Sequence, residues 1–377
     1  MSLQKLDGPL QGHADDRLAR QVARLESRLR HDPDLSFQAA AFVDGRLVLD
    51  VVGGPHLAAD SLMVPYSSSK VTIGWTVALL VERGDLDLDA PVRDLWPEFV
   101  GGGKEHATVR QLLSHQVGVP DADPQLQWHE MLCHHTAAER LAATTPWWRP
   151  GSAFGYHGIT IGNLADELVF RATGRTLHEV YEADIREPLG LDVYLGLPEA
   201  LDGRRAPTLP MVPPLGDYPP VDYMPMRSVV FGPRPGPAVD LANDEASWRF
   251  GHPAASATAT ARGLAELMAA MATGVDGNDP VVSAKTVAEV GQQQVRGYDE
   301  VLAQEDRAHA IIFQKQSRQL HWGGARSFGH DGAAGAVACL DPDTGVAFGY
   351  TIARGPWPGG ADPRAIELAR EIGEIAW

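Results

Sequence analysis

Between Tyr66 and Gly84 the chain reads Y-S-S-S-K-V-T-I-G-W-T-V-A-L-L-V-E-R-G, apolar on nearly every side after Lys70. A helix apolar all round has no face to offer water and lies inside a domain. This stretch therefore predicts a buried central helix, and the rest of the chain must be arranged around it. Gly84 suits the left-handed residue that closes a helix. The front edge is unusual: three serines and a lysine lead into a hydrophobic core. A serine can cap a helix, but a lysine in the first turn opposes the helix dipole and is costly to bury. That placement points to a chemical role for Lys70.

Ser67 and Lys70 stand at i and i+3, on one face of a helix. A serine hydroxyl is a weak nucleophile until a base takes its proton, and a desolvated lysine amine can be that base. Free N–H groups at the start of the helix can hold an oxyanion. S-x-x-K is short enough to arise by chance, and Ser2 and Lys5 match it too, in what reads as a frayed N-terminus. The burial expected at Lys70 favours the second match.

Residues 14–31 carry Leu18, Val22, Leu25 and Leu29 on one stripe, an amphipathic helix. Two β-rich runs then flank Asp44-Gly45, a hairpin signal. A second hairpin is expected from A-V-A-C-L-D and V-A-F-G-Y-T-I around Pro342–Gly345, followed by a helix opening at Asp362-Pro363. Between these ends, helical signals fall near Thr108–Gly118, Thr136–Ala143, Thr160–Thr173, Thr176–Glu187 and Thr258–Ala272. Residues 207–237 hold ten of the 28 prolines, with Tyr218, Tyr223, Met224, Met226 and Phe231 among them. Such a loop reads as a lid or binding loop. The economical assembly is α+β: an antiparallel sheet flanked by terminal helices, built from residues 1–84 and 275–377, with a mostly helical domain inserted over 85–274.

Two more stretches can meet Ser67 and Lys70 at the junction. P-G-S-A-F-G-Y-H-G (150–158) offers the phenol of Tyr156 as a proton relay, and F-G-H-D-G-A (328–333) offers the imidazole of His330 and approachable N–H groups. With S-S-S-K, G-D-L-D-L-D-A-P-V and V-R-Q-L-L-S-H-Q-V-G-V-P in the same order, the chain resembles the class C β-lactamase and penicillin-binding-protein superfamily, and within it the family VIII serine esterases and acyltransferases. The resemblance implies Ser67 as the acylated nucleophile, Lys70 as its activating partner, Tyr156 as general base and acid, and the N–H groups of Ser67 and Ala333 as the oxyanion hole. His157, His330, Asp331, Gly332, Trp248 and Tyr223 are expected to bind substrate. Two departures stand out. Gly158 replaces the asparagine that usually ends the second motif, so what that amide does for substrate binding or lysine orientation must come from elsewhere or be absent. His330 replaces the lactamase lysine, removing a permanent cation and favouring neutral esters over carboxylate-bearing β-lactams. A β-lactamase, a D-amino-acid peptidase and a transacylase forming esters or amides remain alternatives, as does a catalytically dead binding protein.

Other features carry less. His129 and Cys133 at i and i+4 look metal-like, but Cys133 stands where H-E-x-x-H needs histidine, so no metal and no cofactor are expected. His115 reads as a structural histidine. No G-x-S-x-G elbow appears, against an α/β-hydrolase. The acidic excess, 49 against 32 with a net charge of -17, argues against a nucleic-acid partner. Two cysteines and a first segment without an apolar signal core suggest a reducing, cytoplasmic setting, and no apolar run is long enough for a membrane. The expected partner is a small ester or other acyl donor, with or without a separate acceptor.

Overall fold

The computed structural model describes residues 3–213 and 238–377. Strands β1 (Leu3–Asp7), β2 (Leu10–Asp15), β3 (Phe37–Val43) and β4 (Arg46–Gly53) come from the N-terminal part of the chain. The C-terminal part supplies β5 (Val295–Asp299), β6 (Gln304–His309), β7 (Gln314–Lys315), β8 (Phe328–Asp331), β9 (Val337–Asp341) and β10 (Val346–Ile352). They form one 10-stranded antiparallel sheet in the order β1-β2-β4-β3-β10-β9-β8-β7-β6-β5. The two ends of the chain meet where β3 pairs with β10, Phe37 opposite Ile352 and Val43 opposite Val346.

Strand alternation divides this sheet between two cores. Ala39, Ala41, Val43, Val337, Cys339 and Phe348 face one layer, with Leu25 and Leu29 of α1 (Ala19–His31) and Ile366, Leu368 and Ile372 of the last helix, Pro363–Gly373. Ala40, Phe42, Ala338, Leu340 and Ala347 face the other, with the central helix α2 (Lys70–Arg83). That second core also holds α3 (Val109–Leu113), α4 (Thr136–Ala143), α5 (Thr160–Thr173), α6 (Leu177–Tyr181) and α7 (Ala261–Ala272). The last two helices are α8 (Ala284–Gly291) and α9 (Pro363–Gly373). The expectation of an α+β fold with an antiparallel sheet and terminal helices on it holds. Helix α7, grouped by its sequence position with the helical stretch, packs on β3 and β10. It lies so close that a Cβ on Gly349 would stand 2.1 Å from the Ala261 carbonyl oxygen.

Helices α5, α6 and α8 pack on α2, which explains why its apolar residues run all round. Its closing residue, Gly84, has φ 78. The N-terminus differs from expectation. Residues 3–15 form the β1–β2 edge hairpin, with Lys5 opposite His13, and α1 begins only at Ala19. The expected lid, including Tyr218, Tyr223 and Met226, lies largely outside the described residues. No helix among the described residues is long and apolar enough to cross a membrane.

Candidate active site

The three serines that open the central helix have three different duties. Tyr66–Ser69 forms a 3-10 turn before α2, and Tyr66 sits at φ 50, a strained conformation for a bulky residue. From residue 61 to residue 80, Ser67 alone is not buried. Ser68 donates its hydroxyl to the His330 carbonyl at 3.0 Å, tying β8 to the turn. The Ser69 hydroxyl accepts the Ala257 N–H at 3.2 Å, tying down the loop before α7. The buried hydroxyls are thereby satisfied, and Ser67 is left to face outward.

Ser67 Oγ stands between two groups. Lys70 Nζ is 3.1 Å away, and the Tyr156 phenol donates to Oγ at 2.9 Å. Lys70 is fully buried, and burial pushes its amine well below the usual lysine value, with the charge of Asp331 opposing only in part. The amine also donates to the Ala254 carbonyl at 2.7 Å. That bond holds the amine beside Ser67. Burial pushes the Tyr156 phenol up, so it keeps its proton at neutral pH. Its backbone is anchored by Asp299, whose two carboxylate oxygens each lie 3.1 Å from the Tyr156 nitrogen. Asp299 also accepts the N–H groups of Val301 and Leu302. Neither Asp299 nor the Ala254 carbonyl was anticipated from the sequence.

The expected third motif adjoins this centre. Gly332 packs on the serine turn so tightly that a Cβ would lie 2.2 Å from the Pro65 carbonyl oxygen. Ala333, next to it, is partly buried and its carbonyl accepts the Gly360 N–H. Asp331 is half-buried, accepting the Ala361 N–H at 3.2 Å and donating its own to Gln314 Oε1 at 3.0 Å. His330 is fully buried, and its Nδ1 lies 2.8 Å from the Asp331 main-chain oxygen. A carbonyl only accepts, so Nδ1 carries the proton and Nε2 offers a lone pair. That Nε2 has no partner among the described residues. Burial pushes this imidazole well below the usual histidine value. The imidazole therefore presents a neutral acceptor.

Two expected substrate contacts are corrected. His157 is fully buried: its Nδ1 lies 2.6 Å from the Gly155 carbonyl oxygen and its Nε2 accepts the Val119 N–H at 3.0 Å. Both nitrogens are committed to the backbone, and burial brings the ring down to about 4. Trp248 is buried in the core, with the guanidinium groups of Arg205 and Arg249 at 4.9 and 4.4 Å from its ring centroid. It is a packing residue. His115 takes the structural role expected, its Nδ1 accepting the His157 N–H at 3.2 Å. Tyr223 lies outside the described residues. Behind Tyr156 sits another buried imidazole, His309, its ring 6.0 Å from the phenol ring and nearly parallel to it. Arg307, buried on the same strand, bears electrostatically on Tyr156, His309 and His330.

The arrangement matches known proteins over almost its whole length. EstA from Arthrobacter nitroguajacolicus Rue61a superposes with a TM-score of 0.88 at 36% identity, over 99% of this chain and 98% of that one. A family VIII carboxylesterase superposes with a TM-score of 0.86 at 26% identity, over 97% and 99%. The Esterase/beta-lactamase LipL of Mycobacterium tuberculosis is 29% identical over 330 residues, 82% of this chain and 75% of its own. The family model described as Beta-lactamase matches residues 25–371, and the chain belongs to that family.

Proposed function

We propose that the protein is a serine esterase working through an acyl-enzyme on Ser67. The observation that carries this is the placement of Ser67 Oγ between the Lys70 amine at 3.1 Å and the Tyr156 phenol at 2.9 Å. A buried, neutral amine takes the Ser67 proton as Oγ bonds to the ester carbonyl carbon. The carbonyl oxygen gathers negative charge, which the N–H groups of Ser67 and Ala333 stabilise. As the carbon–oxygen bond to the leaving group breaks, the phenol of Tyr156 delivers its proton to that oxygen and is reprotonated from Lys70. Water, activated in the reverse sense, then releases the acid and restores Ser67; an alcohol or amine in place of water gives acyl transfer.

Esters are favoured over β-lactams by the chemistry of His330. A β-lactam carries a carboxylate, and a neutral imidazole presenting a lone pair offers that anion neither a charge nor a proton. The name of the similar family VIII carboxylesterase supports the same class of substrate, while that of LipL carries both esterase and beta-lactamase. The test is turnover of a short-chain nitrophenyl ester by Ser67→Ala and Ser2→Ala chains. Ser67→Ala is expected to lose it and Ser2→Ala to keep it; the opposite pattern overturns the reading.

A further inference from the structure

The segment W-H-E-M-L-C-H-H (128–135) suggested metal ligation at His129 and Cys133, yet Cys133 is exposed and accepts the Thr136 hydroxyl at 3.3 Å. Its neighbour His134 lies in a different cluster. His134, Asp166 and His178 present one ligand atom each, all within 4.8 Å of one another. They come from the turn before α4, from α5 and from α6, so only the folded chain assembles them.

Of the three inner atoms, His178 Nδ1 is unpartnered among the described residues and the other two hydrogen-bond each other. His178 Nε2 lies 3.1 Å from two main-chain carbonyls, those of Phe250 and Gly251. Both only accept, so Nε2 carries the proton and Nδ1 holds the lone pair. That Nδ1 is buried with no partner among the described residues. Asp166 uses Oδ1 to accept the Leu177 N–H at 2.6 Å, while Oδ2 lies 2.6 Å from His134 Nδ1. The carboxylate is nearly buried and the His134 side chain 32% exposed, which gives an ion a way in from solvent. A histidine whose far nitrogen donates to backbone carbonyls, beside a carboxylate whose second oxygen is held by an N–H, is the outer support that oriented metal ligands have.

We propose that His134, Asp166 and His178 form a site for a late first-row divalent cation, with zinc the best match to two imidazoles and one carboxylate. The ion takes the Nδ1 atoms of both histidines and Oδ2 of Asp166, with water in the fourth position. Binding replaces the proton between His134 and Asp166, which leaves to solvent. Tetrahedral zinc with bonds near 2.0–2.1 Å sets its ligand atoms about 3.3 Å apart, so His134 and Asp166 part slightly and His178 closes in. The role is structural. His178 holds the carbonyls of Phe250 and Gly251, on the loop that continues to Ala254 and its bond to Lys70.

The test uses the full chain, stripped with chelator and titrated with zinc chloride by calorimetry, with melting temperature followed in parallel and magnesium as the control cation. One zinc per chain, a raised melting temperature and no response to magnesium are expected. His134→Ala and Asp166→Asn should each weaken binding by more than about tenfold, whereas His129→Ala and Cys133→Ser should leave it intact. The His134 variant leaves Asp166 without its partner, so it is expected to melt below the wild type without zinc and to gain nothing from zinc. Cobalt in place of zinc should give a visible tetrahedral spectrum in the wild-type chain that His134→Ala abolishes. No saturable zinc binding, or binding that survives both ligand variants, overturns the proposal.

Discussion

The Lys70 amine donates to the carbonyl oxygen of Ala254 at 2.7 Å, across a separation of 184 residues in the chain. A main-chain carbonyl cannot be lost by substitution and carries no charge. It therefore fixes the amine beside Ser67 without stabilising the ammonium form as a carboxylate would, and burial is left to set the protonation state.

Lys70→Ala is expected to lose about 10²–10⁴-fold in kcat, the range for a positioned proton-transfer group. Lys70→Arg should be equally poor, because a guanidinium does not give up its proton. In the wild type, a lysine held well below its ordinary value makes activity fall on the acid side, where the amine gains its proton. With the Tyr156 phenol pushed up, activity should hold on the alkaline side. A pH profile of kcat/KM checks both limbs; activity rising towards acid would contradict the assignment of Lys70 as base.

Tyr156→Phe removes one oxygen whose hydrogen bond is to Ser67, while the Asp299 anchor acts on the backbone and persists. The melting temperature should change little and kcat should fall about 10²–10⁴-fold. A loss smaller than tenfold would show that the leaving group is protonated by something else.

His330 bears on substrate choice and on pH together. A histidine of ordinary pKa would gain its proton near pH 6, and lactamase activity would then improve relative to esterase activity. The buried ring is instead held neutral by its burial. The ratio of cephalosporin to nitrophenyl-ester hydrolysis should therefore stay low and flat between about pH 8 and pH 6. A ratio rising as pH falls would place a titrating cation at this position.

Glu371 joins the two terminal helices through Arg24, at 2.6 and 2.5 Å, and accepts from Gln21 at 3.1 Å. Its hydrogen bond with Arg24 holds its carboxyl below the usual 4.5. A depressed folded value contributes stability above the unfolded value, lost as pH falls through the folded one. Glu371→Gln should cost about 1.5–3 kcal/mol at neutral pH, with the difference from wild type shrinking as pH drops below the ordinary glutamate range. Denaturant unfolding at two pH values checks this; a difference that grows in acid would contradict it.

Much of this was legible in the chain because its signals are signals of burial. An all-apolar run marks α2, Asp44-Gly45 marks the turn between β3 and β4, and Asp362-Pro363 marks the start of α9. The β1–β2 hairpin was missed because β1 lies at the sheet edge, almost wholly exposed, and so carries no alternation to read. Asp299 ends a polar strand at the opposite edge, and only the fold brings it to Tyr156. The Ala254 carbonyl has no signature at all, since every residue has one. His157 was misread because adjacency to Tyr156 says nothing about where its ring points. The tautomer of His330 depends on a main-chain oxygen that sequence does not place.

Covalent labelling tests the central claim most directly. A fluorophosphonate reacts with a serine hydroxyl that a neighbouring base has activated. Reaction of the full chain, followed by digestion and peptide mass spectrometry, should give one adduct, on the peptide carrying Ser67, and none in the Lys70→Ala chain. No adduct, or an adduct on another residue while Ser67 remains unmodified, would contradict a nucleophile at Ser67.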